Sequence, residues 1–296
     1  MIYVSSSCVR AKRISEAVGT LAEAGFRCIE LSGGTDYYPA LETDLLNLKK
    51  KYDLNYLCHN YFPPPREPLV VNLASPDDSI RAKSIEHLRE NIRLSRLLGA
   101  DRISFHAGFF IQVDVAKIGQ ELRTTVLAER QAALDRFCQS YTQVAHLADG
   151  LPAYVENNVY SRSNHNNYGS KLPLMLLHYQ DFLELREKID FPFLLDLGHL
   201  KVSCNTLGLD FHDQLTKLFP HAGYLHLSDN DGHEDLHAAV TGDSIIYQAL
   251  CQLDLADKVI SLEVVNDLSG LKQTYDLIAA LVKSHKPATA QSLSKG

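Results

Sequence analysis

Histidine, aspartate and glutamate recur where apolar runs of this sequence end. The stretch LLDLGHLKVS places Asp196 directly after an apolar run and His199 three positions later. Imidazole nitrogens and carboxylate oxygens are the ligands that bind zinc, manganese and related divalent ions. Six such residues stand where apolar runs end: His59, His106, Glu156, Asp196, His226 and Glu263. His199 follows Asp196, and the loop after the seventh run adds Asp235 and His237. This pattern predicts a divalent metal site.

Each residue taken alone has a simpler interpretation. An isolated histidine at a strand end is more often a hydrogen-bonded structural group, Glu263 could pair with a lysine, and Asp196 could cap the following helix. Several buried carboxylates, however, cost several kcal/mol apiece unless they are compensated. A cation among them is therefore the simplest explanation. The remaining histidines in helical or terminal segments are expected at the surface, namely His87, His146, His178 and His285.

The elements that would position these residues follow from hydrophobic periodicity. Short apolar runs rich in β-branched and aromatic residues alternate with longer helical patterns. The eight predicted strands cover Ile2–Ser6, Cys28–Ser32, Leu54–Asn60, Arg102–Gly108, Ala153–Asn158, Phe193–His199, Gly223–Asp229 and Val259–Val265. The clearest helix is capped by Ser75 or Asp77 and ends at Gly99.

Eight strand–helix units predict a single (β/α)8 barrel domain over residues 1–285, with a flexible tail over 286–296. The carboxyl ends of the strands build the active site of such a barrel. A doubly wound open sheet is the competing architecture. The first strand continues as YVSSSCVRAK, which is not GxGxxG, and the chain contains no GxxxxGK[ST] motif. These observations favour the barrel.

The bulk composition excludes few functions. The 296 residues are 45% hydrophobic and 22% charged, and the net charge of -7 provides no overall attraction to nucleic acid, although a local basic groove remains compatible with it. The six scattered cysteines include no CxxC pair, which indicates reduced thiols. The amino terminus lacks a signal-peptide pattern, and no apolar run approaches the roughly 20 residues that span a bilayer. We expect a cytoplasmic protein without a membrane partner, and a homo-oligomer is compatible with the sequence.

The order of the acidic and histidine positions resembles the xylose-isomerase-like barrel superfamily, over roughly residues 1 to 285. This superfamily contains sugar isomerases and epimerases as well as the endonuclease IV family. In the epimerase branch, one divalent metal is held by a Glu, an Asp, a His and a second Glu from the last four strands. The matching positions are Glu156 in VENN, Asp196 in LDLGH, His226 in LHLSD and Glu263 in SLEVV.

The endonuclease IV branch uses nine ligands for three zinc ions, and the resemblance implies a candidate for every one. The segment DLHAAVTGD looks like the D-x-H loop of that family. The implied ligand sets are His59, His106 and Glu156 for one ion; Glu156, Asp196, His226 and Glu263 for a second; and His199, Asp235 and His237 for a third. One to three ions per chain, zinc or manganese, are therefore expected.

The predicted loops depart from endonuclease IV. The segment NYFPPPREPLVVNLAS contains three consecutive prolines and extra residues, and SGGTDYYPALE is not a basic, aromatic loop suited to entering a duplex. RSNHNNYGSK is rich in asparagine, which suits a ligand with many hydroxyl groups. Such loops determine substrate choice. Tyr61, Asn158 and His165 are the predicted substrate contacts within them.

The leading hypothesis is a metal-dependent isomerase or epimerase of a sugar, sugar phosphate or related polyol. The metal would acidify the C–H next to a bound carbonyl, while Glu156 and Glu263 would act as base and acid. His199 would orient the substrate oxygen or bind a second ion. One alternative is a zinc-dependent phosphodiester hydrolase that cleaves abasic sites, with nucleic acid as its partner. Another is a barrel that binds a sugar or a metal without turnover.

Overall fold

Eight parallel strands form a closed barrel in chain order, and the last strand pairs with the first. The computed structural model describes residues 1–112 and 126–285, so the predicted tail lies outside the described residues. The strands are β1 (Ile2–Ser5), β2 (Cys28–Leu31), β3 (Asn55–His59), β4 (Ile103–His106), β5 (Ala153–Glu156), β6 (Phe193–Asp196), β7 (Ala222–Leu227) and β8 (Val259–Leu262). The predicted (β/α)8 architecture is confirmed.

Helices surround the barrel. In the described ranges these are α1 (Ile14–Glu23), α2 (Leu41–Tyr52), α3 (Asp78–Leu98), α4 (Arg130–Ala148), α5 (Arg162–Tyr168), α6 (Tyr179–Arg186), α7 (Leu197–Leu207), α8 (Phe211–Leu218), α9 (Ile245–Leu250) and α10 (Leu268–His285). Helix α3 has the expected ends, because the Asp77 side chain accepts from the backbone N–H of Ser79 and Gly99 is left-handed, with φ 74°. None of the helices described is long and apolar enough to cross a membrane.

Alternate strand residues fill the barrel interior. Tyr3, Leu57, Leu194 and Tyr224 form one buried cluster. Their immediate neighbours in the chain instead join the large cluster that includes the helices: Val4, Cys58, Leu195 and Leu225. Successive side chains of a strand point to opposite faces, so the first set lies inside the barrel and the second set lies beneath the helices.

The interior changes from apolar to polar along the strands. Two positions after an interior apolar or aromatic residue, the same face of the strand carries a residue that can bind a metal or donate a hydrogen bond. The pairs are Leu57 and His59, Tyr154 and Glu156, Leu194 and Asp196, Tyr224 and His226, and Val259 and Ser261. Because a strand repeats every two residues, the packing of the interior directs these polar side chains towards the carboxyl end of the barrel.

Each strand ends one to three residues before its predicted end, and the sixth strand shows the reason most clearly. The sixth strand was expected to run from Phe193 to His199, whereas β6 ends at Asp196 and α7 begins at Leu197. The Asp196 side chain accepts a hydrogen bond of 2.6 Å from the backbone N–H of His199, which caps the helix. His199 therefore lies in the first turn of α7, directly beside the strand end.

Candidate metal centre

Glu156 lies at the centre of a buried cluster of imidazoles. Its Oε2 atom is 3.3 Å from His59 Nε2 and 3.4 Å from His106 Nδ1. Its Oε1 atom is 3.5 Å from the Nδ1 atoms of both His199 and His226. The Glu156 side chain is only 1% exposed. The Glu156 carboxylate at the end of β5 is thus surrounded by imidazole nitrogens from the ends of β3, β4 and β7 and from the first turn of α7.

Two further carboxylates, those of Glu263 and Asp235, complete the cluster. Glu263 Oε2 is 3.6 Å from His226 Nδ1 and 3.8 Å from His237 Nδ1. Asp235 Oδ2 is 3.0 Å from His237 Nε2 and 3.2 Å from His199 Nε2. The loop that follows β7 therefore folds back over the end of the barrel. All nine residues singled out in the sequence belong to one connected cluster.

The donor atoms divide into overlapping groups in which all atoms lie within 4.8 Å of one another. Three groups consist of predicted ligands: His59, His106 and Glu156; Glu156, Asp196 and His199; and Asp196, His226 and Glu263. Glu156 and Asp196 each belong to two of these groups. The middle group differs from the set implied by the resemblance, which assigned His199 to Asp235 and His237.

Unsatisfied polar atoms in the cluster fit a divalent cation. Five buried donor atoms have no hydrogen-bond partner among the described residues: Glu156 Oε2, Asp196 Oδ2, His106 Nδ1, His226 Nδ1 and Asp235 Oδ1. Buried polar atoms are nearly always satisfied, and leaving one unpaired costs about 1–3 kcal/mol. Oxygen and imidazole nitrogen are the donors that zinc and manganese accept. The residues present are therefore suited to hold divalent metal ions.

Hydrogen bonds from outside the cluster orient the imidazole rings. His59 Nδ1 lies 2.9 Å from Ser104 Oγ, which leaves His59 Nε2 facing Glu156. His199 Nδ1 lies 2.9 Å from the carbonyl oxygen of Asn157, which leaves His199 Nε2 facing Asp235. Such partners are typical of metal-binding histidines, because they fix which ring nitrogen carries the lone pair.

Asn157 also holds the Asp196 backbone. Its side-chain amide donates to the Asp196 carbonyl at 3.0 Å, and its Oδ1 accepts from the Asp196 N–H at 2.7 Å. One Asp196 carboxylate oxygen caps α7, whereas the other has no hydrogen-bond partner among the described residues. The capping role and the ligand role considered for Asp196 are thus compatible, because they use different oxygens.

Burial and neighbouring charges shift the pKa values of the cluster in opposite directions. Burial raises the pKa of Glu156 to about 7, even though the His226 imidazole beside it acts to lower it. Burial, followed by the charge of His199, lowers the pKa of His106 to about 3. Burial opposes protonation of His237, but the Asp235 carboxylate raises its pKa to about 9. A cation that binds here must displace protons near neutral pH.

Of the three predicted substrate contacts, Tyr61 and Asn158 lie in loops, whereas His165 lies in α5, so the expectation that it is a loop residue was wrong. The Tyr61 hydroxyl accepts from the Val71 N–H at 3.3 Å. Asn158 is 5% exposed, and its side-chain amide nitrogen contacts the carbonyl oxygens of Ala107 and Gly108 after β4 and of Met175 between α5 and α6. His165 is in α5 and packs edge-on against Tyr160, with ring centroids 5.9 Å apart. Their contact with a substrate stays a prediction.

Sequence reasoning missed Glu30, a fully buried carboxylate on β2. Its oxygens lie 3.2 Å from His226 Nε2, on the side of the ring that faces away from Glu156. The available signal was a charged residue inside the apolar run CIEL. The expectation that His87 lies at the surface was wrong, because it is 8% exposed and its Nε2 lies 3.0 Å from the Asn60 carbonyl oxygen.

Solved structures with the same barrel include sugar epimerases and an endonuclease. A D-tagatose 3-epimerase-like protein is 18% identical, with a TM-score of 0.72 over 96% of this chain and 97% of that chain. Endonuclease IV from Thermus thermophilus is 17% identical, with a TM-score of 0.61 over 96% and 99%. An L-ribulose 3-epimerase is 18% identical, with a TM-score of 0.64 over 96% and 95%. At sequence identities this low, the structural similarity establishes a shared fold and nothing finer.

The family assignment comes from the sequence match. The family model described as the xylose isomerase-like TIM barrel matches residues 18–281. The match spans α1 to α10 and includes all nine residues of the cluster. The chain therefore belongs to the xylose isomerase-like TIM barrel family.

Proposed function

We propose that the protein is a hydrolase of phosphate esters that depends on more than one divalent ion, zinc or manganese. The observation that carries this proposal is the position of Asp235 and His237, which contact His199 and Glu263 at the mouth of the barrel. A site for one ion, formed by the last four strands, has no need of these two residues. The sugar isomerase that leads from sequence alone accordingly becomes the second candidate.

The ligands would be arranged around shared carboxylates. Glu156 links the His59 and His106 side of the cluster to Asp196 and His199. Divalent ions bound there would acidify a water molecule and neutralise the charge that develops on the phosphoryl oxygens during displacement. Glu156 and Asp196 each belong to two donor groups and would hold neighbouring ions, whose charge would favour displacement at a phosphate ester.

Side-chain exposure indicates from which side a substrate approaches. His106 and His237 are each 28% exposed and Asp235 is 18% exposed, whereas Glu156 is 1% exposed and His226 is 0% exposed. Glu156 and His226 thus form the floor, from which bulk water is excluded. His106, Asp235 and His237 form the rim, where the reacting phosphate would enter. Exclusion of bulk water lowers the effective dielectric constant there, which would strengthen the attraction between bound cations and the phosphate.

The test combines metal analysis with hydrolysis assays. Protein purified without added metal should contain two or three divalent ions per chain and should hydrolyse at least one of three substrates: bis(p-nitrophenyl) phosphate, p-nitrophenyl phosphate or a duplex that contains an abasic site. Chelation should abolish the activity, and zinc or manganese should restore it. One ion per chain, together with no hydrolysis of any of the three substrates, would contradict the proposal.

The second candidate is a sugar isomerase or epimerase, supported by a different observation. Glu156 Oε1 and Glu263 Oε2 lie 3.5 and 3.6 Å from the same atom, His226 Nδ1. Two carboxylates on either side of one ligand atom suit proton removal and return at a carbon beside a bound carbonyl. This candidate predicts solvent deuterium incorporation into a ketose or its phosphate, reduced about 10²–10⁴-fold by Glu263→Gln while the metal is retained. If the protein is instead a hydrolase, we expect no incorporation of solvent deuterium into these sugars.

A further inference from the structure

Each of the two nitrogen atoms of the His226 ring faces a different set of carboxylates. Its Nδ1 atom has no hydrogen-bond partner among the described residues and faces Glu156 and Glu263 at 3.5 and 3.6 Å. Its Nε2 atom faces the opposite way and lies 3.2 Å from each carboxylate oxygen of Glu30. His226 and Glu30 are both 0% exposed. Glu30 contacts the ring from β2, which is not one of the last four strands.

Two hydroxyl groups hold the Glu30 carboxylate in place. The Tyr224 hydroxyl donates a hydrogen bond to Glu30 Oε2. The Ser261 hydroxyl donates to Glu30 Oε1 at 3.3 Å. Tyr224 and Ser261 belong to β7 and β8, so the carboxylate is fixed from the strands that carry His226 and precede Glu263. Removing a carboxylate from water costs several kcal/mol before its partners compensate, so this arrangement requires an explanation.

The chemistry of imidazole supplies that explanation. Burial raises the pKa of Glu30, and the adjacent His226 ring acts to lower it. An ionised Glu30 only accepts hydrogen bonds, so in that state it would place a hydrogen on the Nε2 atom that faces it. A neutral imidazole with hydrogen on Nε2 has its lone pair on Nδ1, the atom that faces the two carboxylates of the centre. Carboxylate partners of metal-binding histidines act in this way, fixing the tautomer and raising the basicity of the ligand nitrogen.

We propose that Glu30 is a positioning residue that makes Nδ1 of His226 a metal-binding atom. It acts through His226 and touches neither the ion nor the substrate. The proposal rests on the metal centre of the proposed function, but it does not depend on which reaction the centre performs. It extends the site beyond the nine residues identified from the sequence, to a carboxylate on a strand that contributes none of those nine residues.

The first measurement uses the unaltered protein. Zinc is diamagnetic, so the histidine nitrogens of zinc-loaded, 15N-histidine-labelled protein can be observed by NMR, with the His226 signals identified through His226→Gln. The expected spectrum shows hydrogen on Nε2 and the shift of a metal-bound nitrogen at Nδ1. Hydrogen on Nδ1 would overturn the proposal, because Glu30 would then be protonated and would donate to Nε2. This readout needs no substitution at Glu30.

The second measurement is zinc affinity, by competition with a chelator. Glu30→Gln keeps the size of the side chain but lacks the charge, and we expect it to weaken one bound ion about 10–100-fold. Glu30→Asp keeps the carboxylate and should recover part of that loss. The matched control is Asp181→Asn, at a carboxylate that is 6% exposed and pairs with Arg130 outside the centre. This control should bind zinc like the unaltered protein.

The outcomes separate this proposal from the proposed function. Unchanged zinc affinity and an unchanged His226 tautomer in folded Glu30→Gln would overturn the positioning role. Should Glu30→Gln fail to fold, the spectrum of the unaltered protein decides the question. Zinc binding with the expected tautomer, but without hydrolysis of any phosphate ester, would contradict the proposed reaction and leave the role of Glu30 supported. A protein that binds neither zinc nor manganese would overturn both.

Discussion

The Oδ2 atom of Asp235 lies 3.2 Å from Nε2 of His199, although 36 positions separate these residues in the chain. The contact exists because the segment after β7 turns back on itself. Asp229 and Ala238 pair as an isolated antiparallel bridge, with hydrogen bonds of 2.8 and 2.7 Å in the two directions. This bridge brings Asp235 to the first turn of α7 and extends the cluster beyond the four positions of the last four strands.

Replacing Asp235 tests whether this loop contributes to the metal centre. Asp235→Asn keeps the size of the side chain but removes the charge that faces His199 and His237, so the affinity for at least one ion should fall by at least the roughly 10–100-fold seen when a residue that supports a ligand is replaced. Phosphate-ester hydrolysis should fall by about 10²-fold or more, because charge stabilisation in the transition state is lost. Elemental analysis and the hydrolysis assay measure the two effects. The control is Asp243→Asn, at an exposed residue of the same loop. Full metal content and full activity in Asp235→Asn would refute the assignment.

The two glutamates of the centre should differ in their effect on metal content. Glu156 belongs to two of the donor groups and contacts four imidazoles, whereas Glu263 belongs to one group. Glu156→Gln is therefore expected to lose more ions per chain than Glu263→Gln. Metal content after dialysis into metal-free buffer gives the comparison. Equal losses in the two variants would show that Glu156 is not shared between ions.

Zinc affinity should rise with pH between about 6 and 8. In the metal-free protein, burial raises the pKa of Glu156 to about 7, and the Asp235 carboxylate raises that of His237 to about 9 against the opposing effect of burial. Both groups hold their protons to higher pH than usual, and zinc must displace those protons, so acid weakens binding. Titration calorimetry in two buffers of different ionisation enthalpy should detect proton release at pH 7.5. His146→Gln, at an exposed position of α4, should behave like the unaltered protein. Binding that is independent of pH would contradict these protonation states.

Asn157 should contribute to both stability and metal binding. Asn157→Ala removes two buried hydrogen bonds to the Asp196 backbone, and we expect the free energy of unfolding of the metal-free protein to fall by about 2–3 kcal/mol. Urea denaturation measures this change, and Asn47→Ala on the exposed face of α2 should alter it by less than about 0.5 kcal/mol. Zinc affinity should fall as well, because the Asp196 backbone loses the side-chain amide that holds it, whereas the carbonyl oxygen that contacts His199 is retained. A loss of stability with unaltered zinc affinity would make Asn157 a purely structural residue.

Patterns among residues close together in the chain are sufficient to predict the strands and the ends of helix α3. The apolar runs identify all eight strands, and Asp77 and Gly99 identify the ends of α3, because side-chain capping and left-handed backbone act within a few residues. The period of two along a strand also predicts that Glu156 shares a face with the interior residue Tyr154. Closure of the barrel then brings His59 and Glu156 together, as the order of the strands implies.

The sequence by itself therefore determined the barrel and the residue types at its carboxyl end. Only the tertiary structure decided that Asp235 and His237 join the cluster, because the direction of a long loop depends on contacts such as the bridge between Asp229 and Ala238. It also decided the role of Glu30. A glutamate in an apolar run points inwards or outwards according to strand register, and its partner His226 lies 196 positions away in the chain. Such contacts between distant segments exist only once the barrel has closed.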